Sequence, residues 1–150
     1  MKTLPFLFLF CFFHLNSIAQ TDASATMKHA PNEPHVLLIL SHESLGNGDD
    51  MAQEVTRYNA VYFNEKGYTT KRYKMEYISS KPVIFVTGFE NFDACKDYIK
   101  SIGKNKPNFD QRGMSEAYWP VSVTNFNTIV RNKDASQFEN KILPSLLDEL

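Results

Sequence analysis

The sequence predicts an α+β fold built on a four-stranded antiparallel sheet. Three observations predict it: two short all-apolar runs, two stretches with apolar residues at helical spacing, and their order along the chain as strand, helix, strand, strand, helix, strand. His35 to Leu40 is the first run, bounded by Pro34 and a Ser/Gly/Asn loop, and it reads as a strand covered on both faces. The loop Ser41 to Gly48 follows. Asp49 or Asp50 can cap the next helix, and Asp50 with Gln53 has capping-box spacing. Met51, Val55, Tyr58 and Tyr62 recur on one face of that helix, and Gly67 suits the position just beyond its end. Tyr68 to Tyr77 is rich in Thr and Tyr with charges interleaved, the pattern of a half-exposed edge strand. Ser79-Ser80-Lys81-Pro82 is a turn, and Val83 to Phe89 is the second buried strand. Asn91 caps a helix whose apolar face is Ala94, Tyr98, Ile99 and Ile102, with Gly103 at its end. Lys104 to Gly113 reads as a polar loop. Tyr118 to Thr124 is the fourth strand, and Pro120 within it points to a sheet edge. Two short helices close the chain, near Phe126 to Arg131 with Asn125 as its cap, and from Ala135 to Leu147 with Asp134 or Ser136 as the cap, where Pro144 kinks or divides the second.

This order fits the split βαβ arrangement, a ferredoxin-like βαββαβ two-layer sandwich, here with two short C-terminal helices. In that arrangement the first and third strands are central, and they are the two all-apolar runs. The domain is expected over residues 35–150. Residues 21–34 are small and polar, with Pro31 and Pro34 and no periodicity, and read as a flexible leader.

Residues 1–20 read as a secretory signal peptide. Lys2 supplies the positive end, Leu4 to Leu15 the apolar stretch, and Ser17-Ile18-Ala19 the small residues of a cleavage site. The apolar run is shorter than the about 20 residues of a transmembrane span. Cys11 follows Phe8-Leu9-Phe10, which does not match a lipid-attachment site. The protein is therefore expected in the periplasm or secreted, and the Ala19-Gln20 ending is similar to export signals of the Bacteroidetes group.

Composition bounds the function. The chain of 150 residues carries 16 Lys+Arg and 17 Asp+Glu, a balance that excludes a strongly basic nucleic-acid binder and an acidic disordered tail. Hydrophobic residues make up 43% and aromatics 13%, enough for a core. Two Cys exclude a disulfide-stapled scaffold and a Cys-rich zinc module. Removal of the signal peptide takes Cys11 away and leaves Cys95, which falls on a predicted helix and reads as a buried small hydrophobe.

No catalytic, cofactor-binding or metal-binding residue is assigned. The first loop holds His42, Glu43, Gly46, Gly48, Asp49 and Asp50, but it lacks the Gly-Lys-Ser/Thr ending of a phosphate loop and any recognised ligand spacing. It also lacks the Arg of small acylphosphatases and the Cys-x-x-Cys of copper chaperones, which share the fold. His29 and His35 read as surface residues. Phe85 and Phe89 lie on the third strand without the Arg/Lys-Gly-Phe start of RNA-binding sheets. Tyr73, Phe85, Phe89, Tyr118 and Trp119 are the candidate interface residues.

Arg57 to Phe63, Val83 to Phe89, Ala94 to Tyr98 and Val121 to Asp134 together resemble the C-terminal domain of the large tetratricopeptide-repeat lipoproteins of the Bacteroidetes type IX secretion and gliding machinery. The resemblance covers about His35 to Leu147; the repeats and the lipid-bearing Cys are absent. It implies the domain type and no catalytic residues. Phe89-x-Asn91-x-x-Ala94 is similar to the strand-to-helix turn of SPOR peptidoglycan-binding domains, which are shorter and lack the closing helices.

Two functions are expected from this. The first is a non-enzymatic protein-interaction module of the cell envelope, meeting an envelope protein or a second copy through an apolar sheet face. Leu37 to Leu40 cannot all point at one helical layer, because side chains alternate along a strand. Either the closing helices or a partner must cover the second face. The alternative is glycan binding in the SPOR manner, with peptidoglycan on exposed aromatics. The signal peptide carries the first prediction: mass spectrometry of the exported protein shows loss of residues up to Ala19 or Gln20. A full-length mass in the membrane fraction makes residues 1–20 an anchor instead.

Overall fold

The computed structural model describes residues 26–42 and 48–150. The expected signal peptide, Cys11 and residues 21–25 of the expected leader lie outside the described residues, as do Glu43 and Gly46 of the first loop. The elements are β1 (His35–Ser41), α1 (Asp49–Tyr62), β2 (Thr69–Lys74), β3 (Pro82–Phe89), α2 (Phe92–Asn105), α3 (Asn108–Gln111), β4 (Ser115–Ser122), α4 (Val123–Asn132) and α5 (Leu143–Leu147). The strands form one antiparallel sheet in the order β2-β3-β1-β4. The two apolar strands are the inner pair, with Leu37 opposite Val86, Leu38 opposite Phe85 and Ile39 opposite Ile84. β2 and β4 are the edges, as Pro120 in β4 requires.

Alternation along β1 divides the core in two. Leu37 and Ile39 meet Met51 and Val55 of α1, and Cys95, Tyr98 and Ile102 of α2. Val36, Leu38 and Leu40 point the other way, into a cluster with Trp119, Val121, Ile129, Phe138, Leu143 and Leu146. The closing helices therefore cover the second sheet face. Each fully buried Leu or Ile contributes about 1.5–3 kcal/mol of transfer free energy.

Several local expectations are corrected. α1 is capped by Gly48, not by Asp49 or Asp50. Gly48 has φ 83 and makes no side-chain cap, and a Cβ there would lie 2.9 Å from Cβ of Pro82, so the turn admits only glycine without a shift. Asp49 instead pairs with Arg72 of β2 at 2.8 Å. Tyr62 is 52% exposed and is not core; the buried stripe of α1 is Met51, Val55, Tyr58 and Asn59. Gly67 ends a short 3-10 turn (Asn64–Lys66) after α1, with φ 67. β2 is shorter than the expected strand, because the chain turns at Met75, where the amides of Ile78 and Ser79 both donate to the Met75 carbonyl. α2 runs past Gly103 and ends at Lys106, φ 46. The loop Lys104 to Gly113 contains α3, which seats Phe109 fully in the core. Asn91 does cap α2, accepting from the Ala94 amide at 2.9 Å.

β4 begins at Ser115 and passes into α4 without a loop. Ser122 is both the last residue of the strand and the helix cap, its Oγ accepting from the Asn125 amide at 3.3 Å. Asn125 is thus not the cap; its side chain donates to the Lys28 carbonyl at 2.9 Å. The leader is docked from Met27 onward: Met27 is buried, the Phe92 amide donates to the Pro31 carbonyl, and the Val123 amide donates to the Pro34 carbonyl. Residues 27–34 carry no periodicity because backbone groups, not a side-chain stripe, hold them. The last helical stretch begins after Asp134, whose Oδ1 accepts from the Ser136 amide, and widens into a π-helical turn (Phe138–Ile142) just before Pro144. Proline lacks the N–H that would bond back along the helix, and the wide turn absorbs the break.

A polar link ties the helices to the sheet inside the first cluster. The Tyr98 hydroxyl donates to Asn59 Oδ1 at 2.6 Å, and Asn59 Nδ2 donates to Thr70 Oγ1 at 3.0 Å.

α4, at 10 residues, falls short of the about 12–15 that are marginal for an isolated helix, and the stretch after Asp134 is no more than marginal and is broken by the wide turn before Pro144, so both depend on docking. Phe138 is fully buried with its ring centroid 5.9 Å from that of Trp119. Phe138→Ala is expected to lower unfolding free energy by about 3–5 kcal/mol in denaturant titration. Truncation after Asp134 is expected to leave a poorly soluble, loosely packed protein with a depressed melting temperature.

Candidate interaction groove

The closing helices cover β1 and the second half of β4 and stop short of β2. What remains is a groove of about 350 Å³ between β2, β3 and α4. Its walls are Tyr73 and Met75 on one side and Phe126 and Val130 on the other, over Phe85, with Lys71 at the rim. Tyr73 meets Phe85 edge-on at 4.8 Å, and Phe85 meets Phe126 edge-on at 5.4 Å, so three aromatics run across it. Tyr73 is 42% exposed and Val130 37%. Among the described residues no carboxylate lines the groove and Lys71 makes no ion pair.

The five candidate interface residues do not form one patch. Tyr73 and Phe85 lie in the groove. Trp119 is on the same sheet face but sits under Phe138, 5% exposed. Phe89 and Tyr118 are on the opposite face, against α1 and α2. Simple alternation would put Phe89 with Phe85. A bulge prevents it: Val36 faces Thr87 and His35 faces Phe89, so Gly88, φ 109, is the extra residue and reverses the side. The Tyr118 hydroxyl donates to Asp110 Oδ1 at 2.8 Å, and burial pushes its phenol well above its ordinary range. Sequence reasoning missed Lys71, Met75, Phe126 and Val130 as site residues. The signals were there in part: Lys71 and Tyr73 share strand parity, and Phe126 and Val130 are one helical turn apart.

The remaining chemistry-bearing residues are placed apart from the groove. Cys95 is fully buried, and burial pushes its thiol far up, so it stays protonated. His42 is exposed, and the described residues hold no group of three or more His, Cys, Asp or Glu able to hold a metal ion. No helix among the described residues is long and apolar enough to cross a membrane. Comparison with protein-family models, curated proteins and solved structures gives no match.

His35 is not a surface residue. It is 2% exposed, packs on Phe92 at 5.7 Å, and its Nδ1 lies 2.7 Å from the Glu33 carbonyl. A carbonyl only accepts, so Nδ1 carries the proton of the neutral ring. Burial lowers the His35 pKa below 6.5; the bond to Glu33 opposes the shift, and His29 adds to it. A lowered value means that the unfolded chain binds the proton more readily. The stability held by neutral His35 is complete above pH 6.5 and is lost as pH falls through the lower folded-state value. Melting temperature is expected to fall between pH 7 and pH 5, and the His35→Gln variant, which keeps a donor, is expected to show a flatter profile. Equal slopes would assign the loss to other groups.

Proposed function

We propose that this protein is an exported protein-interaction module of the bacterial cell envelope, not an enzyme, and that the groove between β2, β3 and α4 is its docking site. The observation that carries this reading is the incomplete cover of one sheet face. The chain folds two helices over that face, yet leaves an apolar, aromatic-floored strip at β2. Apolar surface gathered in one concave place, with a polar rim, is the form of an interaction site. The fold is read as ferredoxin-like, supported by the strand order β2-β3-β1-β4 with β1 and β3 inside. The resemblance to the tetratricopeptide-repeat lipoproteins points to a partner in an envelope secretion or gliding assembly.

Glycan binding needs several aromatics on an open face. With Trp119 and Phe85 buried and Phe89 and Tyr118 on the far face, Tyr73 is the one exposed aromatic among the five, and the protein-docking reading is favoured. The test is photocrosslinking in native cells, with a benzophenone amino acid at Tyr73 or, as control, at the exposed Gln111 on the helical side. A discrete crosslinked protein at Tyr73 and none at Gln111 is expected. Equal labelling at both positions, or retention on purified peptidoglycan that vanishes in Tyr73→Ala, overturns the reading.

A further inference from the structure

We propose that the occupant of the groove is an extended acidic segment of another protein, added to the sheet as a fifth strand beside β2. This rests on the groove being the docking site and names what docks there. Among the described residues β2 is the outer strand and pairs only with β3, so one row of its backbone N–H and C=O groups is not used by the sheet. An extended segment laid along that row would complete the ladder and bring every second side chain over the groove.

The charge of β2 selects among occupants. Its sequence is Thr69-Thr70-Lys71-Arg72-Tyr73-Lys74, with three cations and no anion. Arg72 pairs with Asp49 at 2.8 Å and Lys74 with Glu76 at 3.4 Å, both in exposed positions where such pairs are weak. Lys71 has no ion pair among the described residues. A second copy of the chain pairing through β2 would set these cations against their own kind, which destabilises a strand pair. An acidic strand meets the same row with the opposite sign.

The register gives the segment a pattern. Lys71 lies opposite Phe85 and Tyr73 opposite Val83, on the groove face. Thr70 lies opposite Val86 and Arg72 opposite Ile84, so Thr70, Arg72 and Lys74 point to the α1 side. The partner strand therefore alternates: apolar side chains toward Tyr73 and Phe126, carboxylates toward Arg72 and Lys74. One further carboxylate on the groove side falls near Lys71.

The probes are short labelled peptides alternating Val or Leu with Glu, the matching Val/Leu and Lys peptides, and the acidic peptide N-methylated at one or the other alternate set of residues. Binding to the processed protein is read by fluorescence anisotropy. The acidic peptide is expected to bind about tenfold or more tighter than the lysine peptide. One methylated set is expected to lose binding and the other to keep it, because only one edge of the peptide faces β2; a purely ionic contact is indifferent to both. The Lys71→Glu/Lys74→Glu variant, altered at two exposed side chains, is expected to reverse the preference. Equal binding of acidic and basic peptides, or binding untouched by either methylation, overturns the strand proposal and leaves docking in the groove standing. No peptide binding while the Tyr73 crosslink forms also overturns it. A dimer in sedimentation that Lys71→Glu tightens, by relieving the repulsion between like edges, would assign the edge to a second copy.

Discussion

Leu37 and Ile39 lie on one side of the sheet and Leu38 and Leu40 on the other, and all four are buried. A strand with that composition needs a cover on each face, and everything else in the molecule follows from supplying two. The crossover helices α1 and α2 provide the first. The second comes from the end of the chain, through α4 and the kinked helix after Asp134. Neither closing element is long enough to hold its shape alone, so sheet and helices are stable only together. The polar link from Tyr98 through Asn59 to Thr70 belongs to the first cover and fixes β2 to it.

The two covers are unequal. On the α1/α2 side, Tyr68 and Phe89 extend the apolar layer outward, and their rings meet at 4.4 Å. On the other side, α4 leaves β4 directly at Ser122 and its direction is set by the strand. It reaches Phe85 with Phe126 and goes no further toward β2. Tyr73 and Lys71 are left on a strand whose outer edge is unpaired among the described residues. A strip of sheet that is apolar on its face and basic along its edge is the result. The groove wall is a helix continuous with a paired strand, so the groove is preformed and an occupant would need little ordering of the protein.

Strong periodicity was legible and local exceptions were not. The two inner strands follow from continuous apolar runs, α1 and α2 from apolar spacing of 3.6, and the α2 cap from the residue type at Asn91. The misjudged positions are those where one distant contact overrides the pattern. Gly48 takes the cap of α1 because Pro82 leaves no room for a Cβ. Phe109 is a single apolar residue in a one-turn helix, too short to show a period. Residues 27–34 are held by backbone bonds to α2 and α4. Of the site, Tyr73 and Phe85 could be read as strand aromatics, and the adjacency of Tyr118 and Trp119 already divides them between faces. Phe89 could not, because the bulge at Gly88 shifts its parity. Phe126 and Val130 join the groove only once α4 is laid across the sheet.

The amide of Asn125 closes onto the carbonyl of Lys28 across 97 positions of sequence. β1 has the same character, since its two neighbours in the sheet are the third and the last strands. Such long-range closure means that β1 gains its first sheet neighbour only with β3 (Pro82–Phe89) and its second only with β4 (Ser115–Ser122). Domains dominated by distant pairings fold slowly, since loop entropy must be overcome before the contacts form. A nascent chain thus carries the apolar run Val36 to Leu40 before either neighbouring strand has been made. The second cover is complete only when the closing helices are present, and a chain that lacks them exposes apolar sheet surface of the kind that promotes aggregation.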